Sequence, residues 1–263
     1  MAGRVALGLE YDGRSFCGWQ TQPGGCALQD HLELALARIH GTPLHTTVAG
    51  RTDAGVHAFA QVVHFDTRED RPEQAWVRGT NSHLPEGVSV LWARRVVDGF
   101  DARRAALERS YRYVLHTRPV RSALLAGRVG WVFGELNEGA MAMAAESLVG
   151  THDFSAFRAA ECQARSPIRE MRAVSLRRQG EFLILDFRAN AFLHHQIRNM
   201  VGALVWVGLG RRPPEWVAAV LASRDRSQGA ATFAPDGLYL TGVRYDPNFG
   251  LPNPPTPFIP FQS

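Results

Sequence analysis

The chain contains no lysine, so all 29 of its basic residues are arginine. Against 25 acidic residues they give a formal net charge of +4 and an isoelectric point near 9.3. Arginine presents a rigid fork of donors that fits phosphate two at a time and stacks on bases. A bias in base composition or habitat and a polyanionic partner are both consistent with this pattern. Cysteine is almost missing: Cys17, Cys26 and Cys162 fit no zinc-ligand spacing and are too few for a disulfide framework. Cys17 and Cys26 could in principle pair, but reduced thiols are the expectation. No apolar run reaches the ~18–20 residues that a membrane span needs. Residues 1–5 lack the apolar segment of a secretory leader. Together these absences point to a cytoplasmic protein with no membrane attachment. The ten histidines are scattered and never form an H-E-x-x-H arrangement.

What is present is an ordinary globular composition, 45% hydrophobic and 21% charged over 263 residues. That length suits one large domain or two modest ones. Residues 4–10 read as a strand, 28–40 as an amphipathic helix with Leu28, Leu32, Leu36 and Ile39 on one face. After the β-branched Thr46-Thr47-Val48 come a strand at 59–67, a helix over about 71–81 and a strand at 88–96. The order is β-α-β-β-α-β.

The second half repeats it. Residues 109–116 read as a strand, 118–133 as irregular, and 137–148 as a helix capped by Asn137. A hairpin follows, 171–178 and 181–188 across Gln179-Gly180, then a long helix at 192–208, a shorter one at 213–222 and a last strand at 238–245. The fold class expected is α+β, with two ferredoxin-like (βαββαβ) halves at residues 1–100 and 101–245. The boundary is expected near residues 98–104, and two such sheets side by side would leave a cleft, a favoured place for a ligand. Residues 246–263 hold six prolines. They are expected to form a polyproline-like tail lying on the surface or on a partner.

The stretch most suggestive of chemistry is Ala49-Gly-Arg-Thr-Asp-Ala-Gly-Val-His-Ala58, in the connection between two strands. Gly50 and Gly55 flank Arg51-Thr52-Asp53, and glycine permits sharp turns and close approach. Such a segment reads either as a turn in which Asp53 bonds its own backbone or as a site loop carrying a carboxylate beside a guanidinium. On the strand 109–116, alternation puts Arg109, Tyr111 and Tyr113 on one face and Arg112 on the other. Rings between arginines suit single-stranded RNA. Tyr113 reads as core, whereas Tyr111 fits either role.

In the helix 192–208, Ile197, Val201, Leu204 and Val205 form a buried stripe, with His194, Arg198 and Gly202 in one i, i+4 row. Arg198 borders that stripe, so it either snorkels to solvent or finds an anion, for which Asp53 is the candidate. His194 and His195, as adjacent helix residues, would point ~100° apart and not share a metal. They read as structural or RNA-facing.

These blocks closely resemble the TruA family of tRNA pseudouridine synthases. The resemblance rests on Gly50 to Ala58, on Tyr11-Asp-Gly13 with Phe16-x-Gly18-Trp-Gln20, and on Arg109-x-Tyr111-x-Tyr113. Phe192-x-His194-His-x-Ile-Arg198-Asn-Met-Val-Gly202 and Gly237-Leu-Tyr-Leu240 complete it, in order over residues 4 to 245. It implies isomerisation of uridine to pseudouridine at positions 38 to 40 of the tRNA anticodon stem-loop, with the target base flipped out. By position Asp53 is the essential aspartate, Tyr111 the tyrosine on the target base, Arg198 the basic partner and Arg51 the residue holding the base out. It further implies a homodimer that needs no metal or organic cofactor, with tRNA as partner and two ferredoxin-like halves whose sheets join around a basic cleft. Two other readings compete: a catalytically silent RNA-binding protein, which leaves Asp53 without a task, and a metal-dependent hydrolase, which the histidine spacing opposes.

Overall fold

The computed structural model describes residues 3–255. In chain order the strands and helices are β1 (Gly3–Tyr11), α1 (Leu28–His40), β2 (Thr47–Val48), β3 (His57–Thr67), α2 (Glu73–Asn81) and β4 (Val88–Val96). Then come β5 (Glu108–Thr117), β6 (Gly130–Val132), α3 (Glu138–Glu146), β7 (Gly150–Asp153), β8 (Ile168–Gln179) and β9 (Phe182–Ala189). The last are α4 (Gln196–Gly208), α5 (Glu215–Ser223) and β10 (Leu238–Arg244). No helix among the described residues is long and apolar enough to cross a membrane.

The described residues divide into two compact units, residues 3–108 with 239–255, and residues 109–238. In the first unit the strands run β4-β1-β3-β10. Strand β1 is antiparallel to both β3 and β4. The other edge of β3 is shared: His57 and Ala58 pair in parallel with Tyr239 and Leu240, and Val63 and His64 pair with β2. The sequence reading counts 238–245 with the second half; of these, residues 239–245 lie in the first compact unit. Helix α1 is closed by Gly41 at φ 89°, and its buried residues Leu28, Leu32, Ala35 and Leu36 match the apolar stripe. Trp76 of α2 is 1% exposed and meets Phe65 edge-on at 5.1 Å.

In the second unit the order is β5-β9-β8-β7, with the short β6 parallel to β5. Strands β8 and β9 form the expected hairpin. Helix α4 is its centre: eleven of its thirteen residues are buried, from Gln196 to Gly208. Such a helix has no solvent face, so its apolar stripe is only part of what it buries. Residues 192–195 are not helical, contrary to the periodicity. His195 sits at φ 61°, a left-handed backbone that stops the helix from extending toward Phe192. Strands β6 and β7 were not legible at three and four residues.

Of the proline-rich segment, Pro247–Phe249 forms one 3₁₀ turn, with Phe249 edge-on to Phe100 at 5.1 Å. Residues 251–255 are irregular, and the rest of the expected tail lies outside the described residues.

Candidate active site

In the first unit the motif spans the connection from β2 into the start of β3. Its backbone is tied down from below. The Gln61 side-chain amide donates to the Gly50 carbonyl at 2.8 Å and to the Tyr11 hydroxyl at 3.1 Å. The Tyr11 hydroxyl in turn lies 2.8 Å from Thr52 Oγ1. Gln61, Tyr11 and Thr52 are 0%, 4% and 6% exposed, so each hydrogen bond replaces water that cannot reach the site. Burial pushes the Tyr11 pKa up to about 12, against the smaller opposing effect of its bonds to Thr52 and Gln61. It remains a neutral bridge.

From the side, the Trp19 amide donates to the Thr52 carbonyl at 2.9 Å. A Cβ added at Gly13 would sit 2.1 Å from the Val56 carbonyl oxygen, and one at Gly18 3.0 Å from that of Thr52. Only glycine lets these two backbones approach so closely. The turn itself closes through the backbone, with the Val56 amide donating to the Asp53 carbonyl at 3.1 Å. Asp53 is half-buried and Arg51 exposed. The arrangement is a carboxylate on a backbone locked in place on two sides.

Cys17 and Cys26 are joined by a disulfide, with Cα atoms 5.5 Å apart. This corrects the expectation of reduced thiols. The Cys17 amide also donates to the Cys26 carbonyl at 3.1 Å, so folding brings the pair together across the Pro23-Gly24-Gly25 turn. Beside the loop, Asp12 is drawn upward by partial burial, but hydrogen bonds from Arg14 outweigh this and hold it below the ordinary carboxylate value. The His57 ring stacks on Tyr239 at 4.6 Å, and Tyr239 on Phe59 at 5.3 Å.

In the second unit, the alternation read along β5 holds. Tyr113 is fully buried, its hydroxyl donating to the Ala234 carbonyl at 2.7 Å, which settles it as core. Tyr111 is 8% exposed and meets Phe192 edge-on at 5.2 Å. On the other face Arg112 forms a two-point ion pair with its cross-strand neighbour Asp186, at 2.7 and 3.1 Å. Arg198 on α4 is half-buried, and its Nε donates to the Phe233 carbonyl at 2.8 Å. One turn on, a Cβ at Gly202 would lie 2.4 Å from the Ala231 carbonyl oxygen. The mid-helix glycine therefore seats the 231–233 segment against the helix, as its cost in a helix suggests.

His194 lies outside the helix, so the expected row of three reduces to Arg198 and Gly202. The His194 and His195 rings are 4.0 Å apart. Off the helix, these two side chains do not diverge as adjacent helix residues would.

Comparison with known proteins is consistent throughout. A family model described as tRNA pseudouridine synthase matches residues 9–103 and 144–246. A tRNA pseudouridine synthase A of Paraburkholderia xenovorans is 55% identical over 260 residues, 99% of this chain and 96% of that protein. The protein of the same name from Thiobacillus denitrificans is 58% identical over 249 residues, 95% and 96% of the two chains. The chain belongs to the tRNA pseudouridine synthase family. It is an isomerase acting on tRNA, and its α+β architecture is the pseudouridine synthase fold. Among solved structures, an archaeal box H/ACA sRNP Nop10-Cbf5 complex aligns with the enzyme at a TM-score of 0.38 and 12% identity, over 91% of this chain and 48% of that one. So slight a likeness carries no argument.

Sequence reasoning on the enzyme missed the roles of Tyr11 and Gln61 beneath the motif, and the strap around Asn199. There the Asn199 amide donates to the Phe157 carbonyl at 2.8 Å, while its oxygen accepts from Thr232 at 2.7 Å and Arg226 at 3.0 Å. Tyr11 stands in the Tyr11-Asp-Gly13 motif, but the atoms its hydroxyl meets lie 41 and 50 residues away in the chain.

Proposed function

We propose that the enzyme converts uridine to pseudouridine at positions 38 to 40 of the tRNA anticodon stem-loop. Asp53 is the catalytic carboxylate. The reaction breaks the bond from uracil N1 to ribose C1′ and makes one from C5, so the base detaches, turns and reattaches. N1 gains a proton and C5 loses one, leaving the overall composition unchanged. A stacked uridine in a stem cannot turn, so it is extruded at a cost of a few kcal/mol. In this reading Arg51 fills the vacated space and Tyr111 supplies the new surface for the base. Arg198 keeps Asp53 anionic, since a nearby cation favours the charged carboxylate.

Asp53 acts at the sugar, attacking C1′ or removing the 2′ proton. Ordinary glycoside hydrolysis pairs two carboxylates with a water. Recapture of the detached uracil instead requires that water be excluded. The chemistry needs no metal or organic cofactor. The enzyme works as a homodimer in the cytoplasm, where its tRNA substrate is found.

The observation that carries this reading is the Gly50-Arg-Thr-Asp-Ala-Gly55 loop, held by buried bonds through Tyr11, Thr52 and Gln61 in a chain of this family. The test is incubation of the enzyme with unmodified tRNA, then mass spectrometry after derivatisation that marks pseudouridine. Pseudouridine at 38 to 40 is the expected result. Pseudouridine only elsewhere would overturn the site assignment, and none at all would overturn the reading.

A further inference from the structure

Three arginines, Arg109, Arg158 and Arg169, gather at one end of the second unit's sheet. Arg109, at the start of β5, donates to the Asn190 carbonyl at 2.8 Å, just past β9. Asn190 is bonded to Glu170 through both its backbone and its side chain, each at 3.1 Å. This brings the start of β8, and with it Arg169, to the same end. Strand β7 pairs with β8 there, His152 opposite Arg169 and Asp153 opposite Ile168. The next rung is the Phe154 amide on the Pro167 carbonyl at 3.1 Å. The one-turn Ser155–Phe157 segment then delivers Arg158 beside that rung.

Arg169 carries a buried, unmet donor. Its NH1 donates to the Ser166 and Ile168 carbonyls at 2.9 and 2.6 Å, but its Nε is buried and has no partner among the described residues. Burial lowers its pKa, and the Arg109 and Arg158 charges lower it further, Cys162 opposing them.

The neighbouring carboxylates are committed elsewhere. Glu170 pairs with Arg172 at 3.1 Å, Asp153 with Arg224 at 3.6 Å, and Glu161 approaches His194 at 3.7 Å. Asp153 is also within electrostatic reach of Arg158. Among the described residues neither Arg158 nor Arg169 forms an ion pair. A buried guanidinium donor without a partner costs free energy, and like charges nearby add to that cost. An anion relieves both.

We propose that Arg158 and Arg169 form a phosphate-binding site that grips the RNA backbone next to the nucleotide held on Tyr111. Tyr111 stands two residues along β5 from Arg109, on the same face and about 7 Å along the strand, and Arg169 lies beyond the Arg109 end of the sheet, two strands across on β8. The backbone leading away from a nucleotide on Tyr111 would carry its phosphates toward that end, where long arginine side chains meet them. The proposal rests on the reading that Tyr111 faces the target base, and it assigns a positioning role, since neither arginine touches the reacting atoms.

Binding of an unmodified anticodon stem-loop transcript, followed by fluorescence anisotropy between about 50 and 200 mM salt, tests it. Arg169→Gln and Arg158→Gln should each weaken binding several-fold and each reduce the slope of log affinity against log salt by about one. Arg169→Lys should restore much of the slope by keeping the charge. Wild-type affinity and slope in both Gln variants, at wild-type Tm, would overturn the site while leaving pseudouridine formation by the wild type untouched. If Arg169→Gln fails to fold, the Arg158→Gln slope decides. Failure of the wild type itself to modify the transcript would instead strike the earlier reading.

Discussion

The Tyr11 hydroxyl lies 2.8 Å from the Thr52 hydroxyl, a buried bond across 41 residues of chain. It joins the end of β1 to the residue before Asp53, and Gln61 completes the bridge at 3.1 Å. Tyr11→Phe keeps the ring but leaves two buried groups short of a partner, which costs about 1–3 kcal/mol. For a chain of this length each kcal/mol lowers Tm by about 2–4 °C. Turnover should fall by more than tRNA affinity, because the bond fixes a backbone and touches no RNA. Loss of affinity at unchanged kcat would contradict this.

Asp53→Asn keeps the shape of the loop and removes the charge. Pseudouridine formation should be abolished, with tRNA affinity within a few-fold of wild type in a filter-binding assay. Substantial residual turnover would remove Asp53 from the chemistry.

Tyr111 offers a ring 8% exposed with its edge contact to Phe192. Tyr111→Phe should retain more activity than Tyr111→Ala if stacking matters more than the hydroxyl. Single-turnover rates compare them, and equal losses would reverse that order.

Arg198→Ala loses the 2.8 Å bond to the Phe233 carbonyl as well as a charge. Stability should drop by about 1–3 kcal/mol, and catalysis should drop with it. Arg198→Lys separates the two effects: if it restores Tm without turnover, the fork of donors is what the reaction needs. Wild-type turnover by Arg198→Ala would exclude Arg198 from the reaction.

Acid should unfold the protein in two stages. His64 is buried, which lowers its pKa below the ordinary 6.5, and its Nδ1 accepts from the Ala102 amide at 3.0 Å. It binds a proton less readily folded than unfolded, so its contribution is full above 6.5 and is lost as pH falls through the depressed value. Asp66, paired with Arg4, and Asp101, which burial would raise but the Arg104 and Arg103 amides hold down, sit below 3.8. Their share is present above 3.8 and disappears as pH falls through their lower values. Chemical denaturation at pH 8, 6, 5 and 3 follows both. His64→Asn should remove the first stage, and equal wild-type stability at pH 8 and 5 would refute it.

Much of this protein was determined locally. Helix α1 follows from its apolar spacing and Gly41, the hairpin of β8 and β9 from Gln179-Gly180, and the β-α-β-β-α-β order of residues 3–96 from alternating periods. The motif blocks also carried the resemblance to the family, in order along residues 4 to 245. Other features depended on contacts between distant segments, which no local period records. The left-handed His195 cut the expected helix short, and the parallel pairing of Tyr239 and Leu240 with His57 and Ala58 was not readable from the strand's own residues. The disulfide from Cys17 to Cys26 and the bond from Tyr11 to Thr52 were likewise settled only when tertiary packing closed around them.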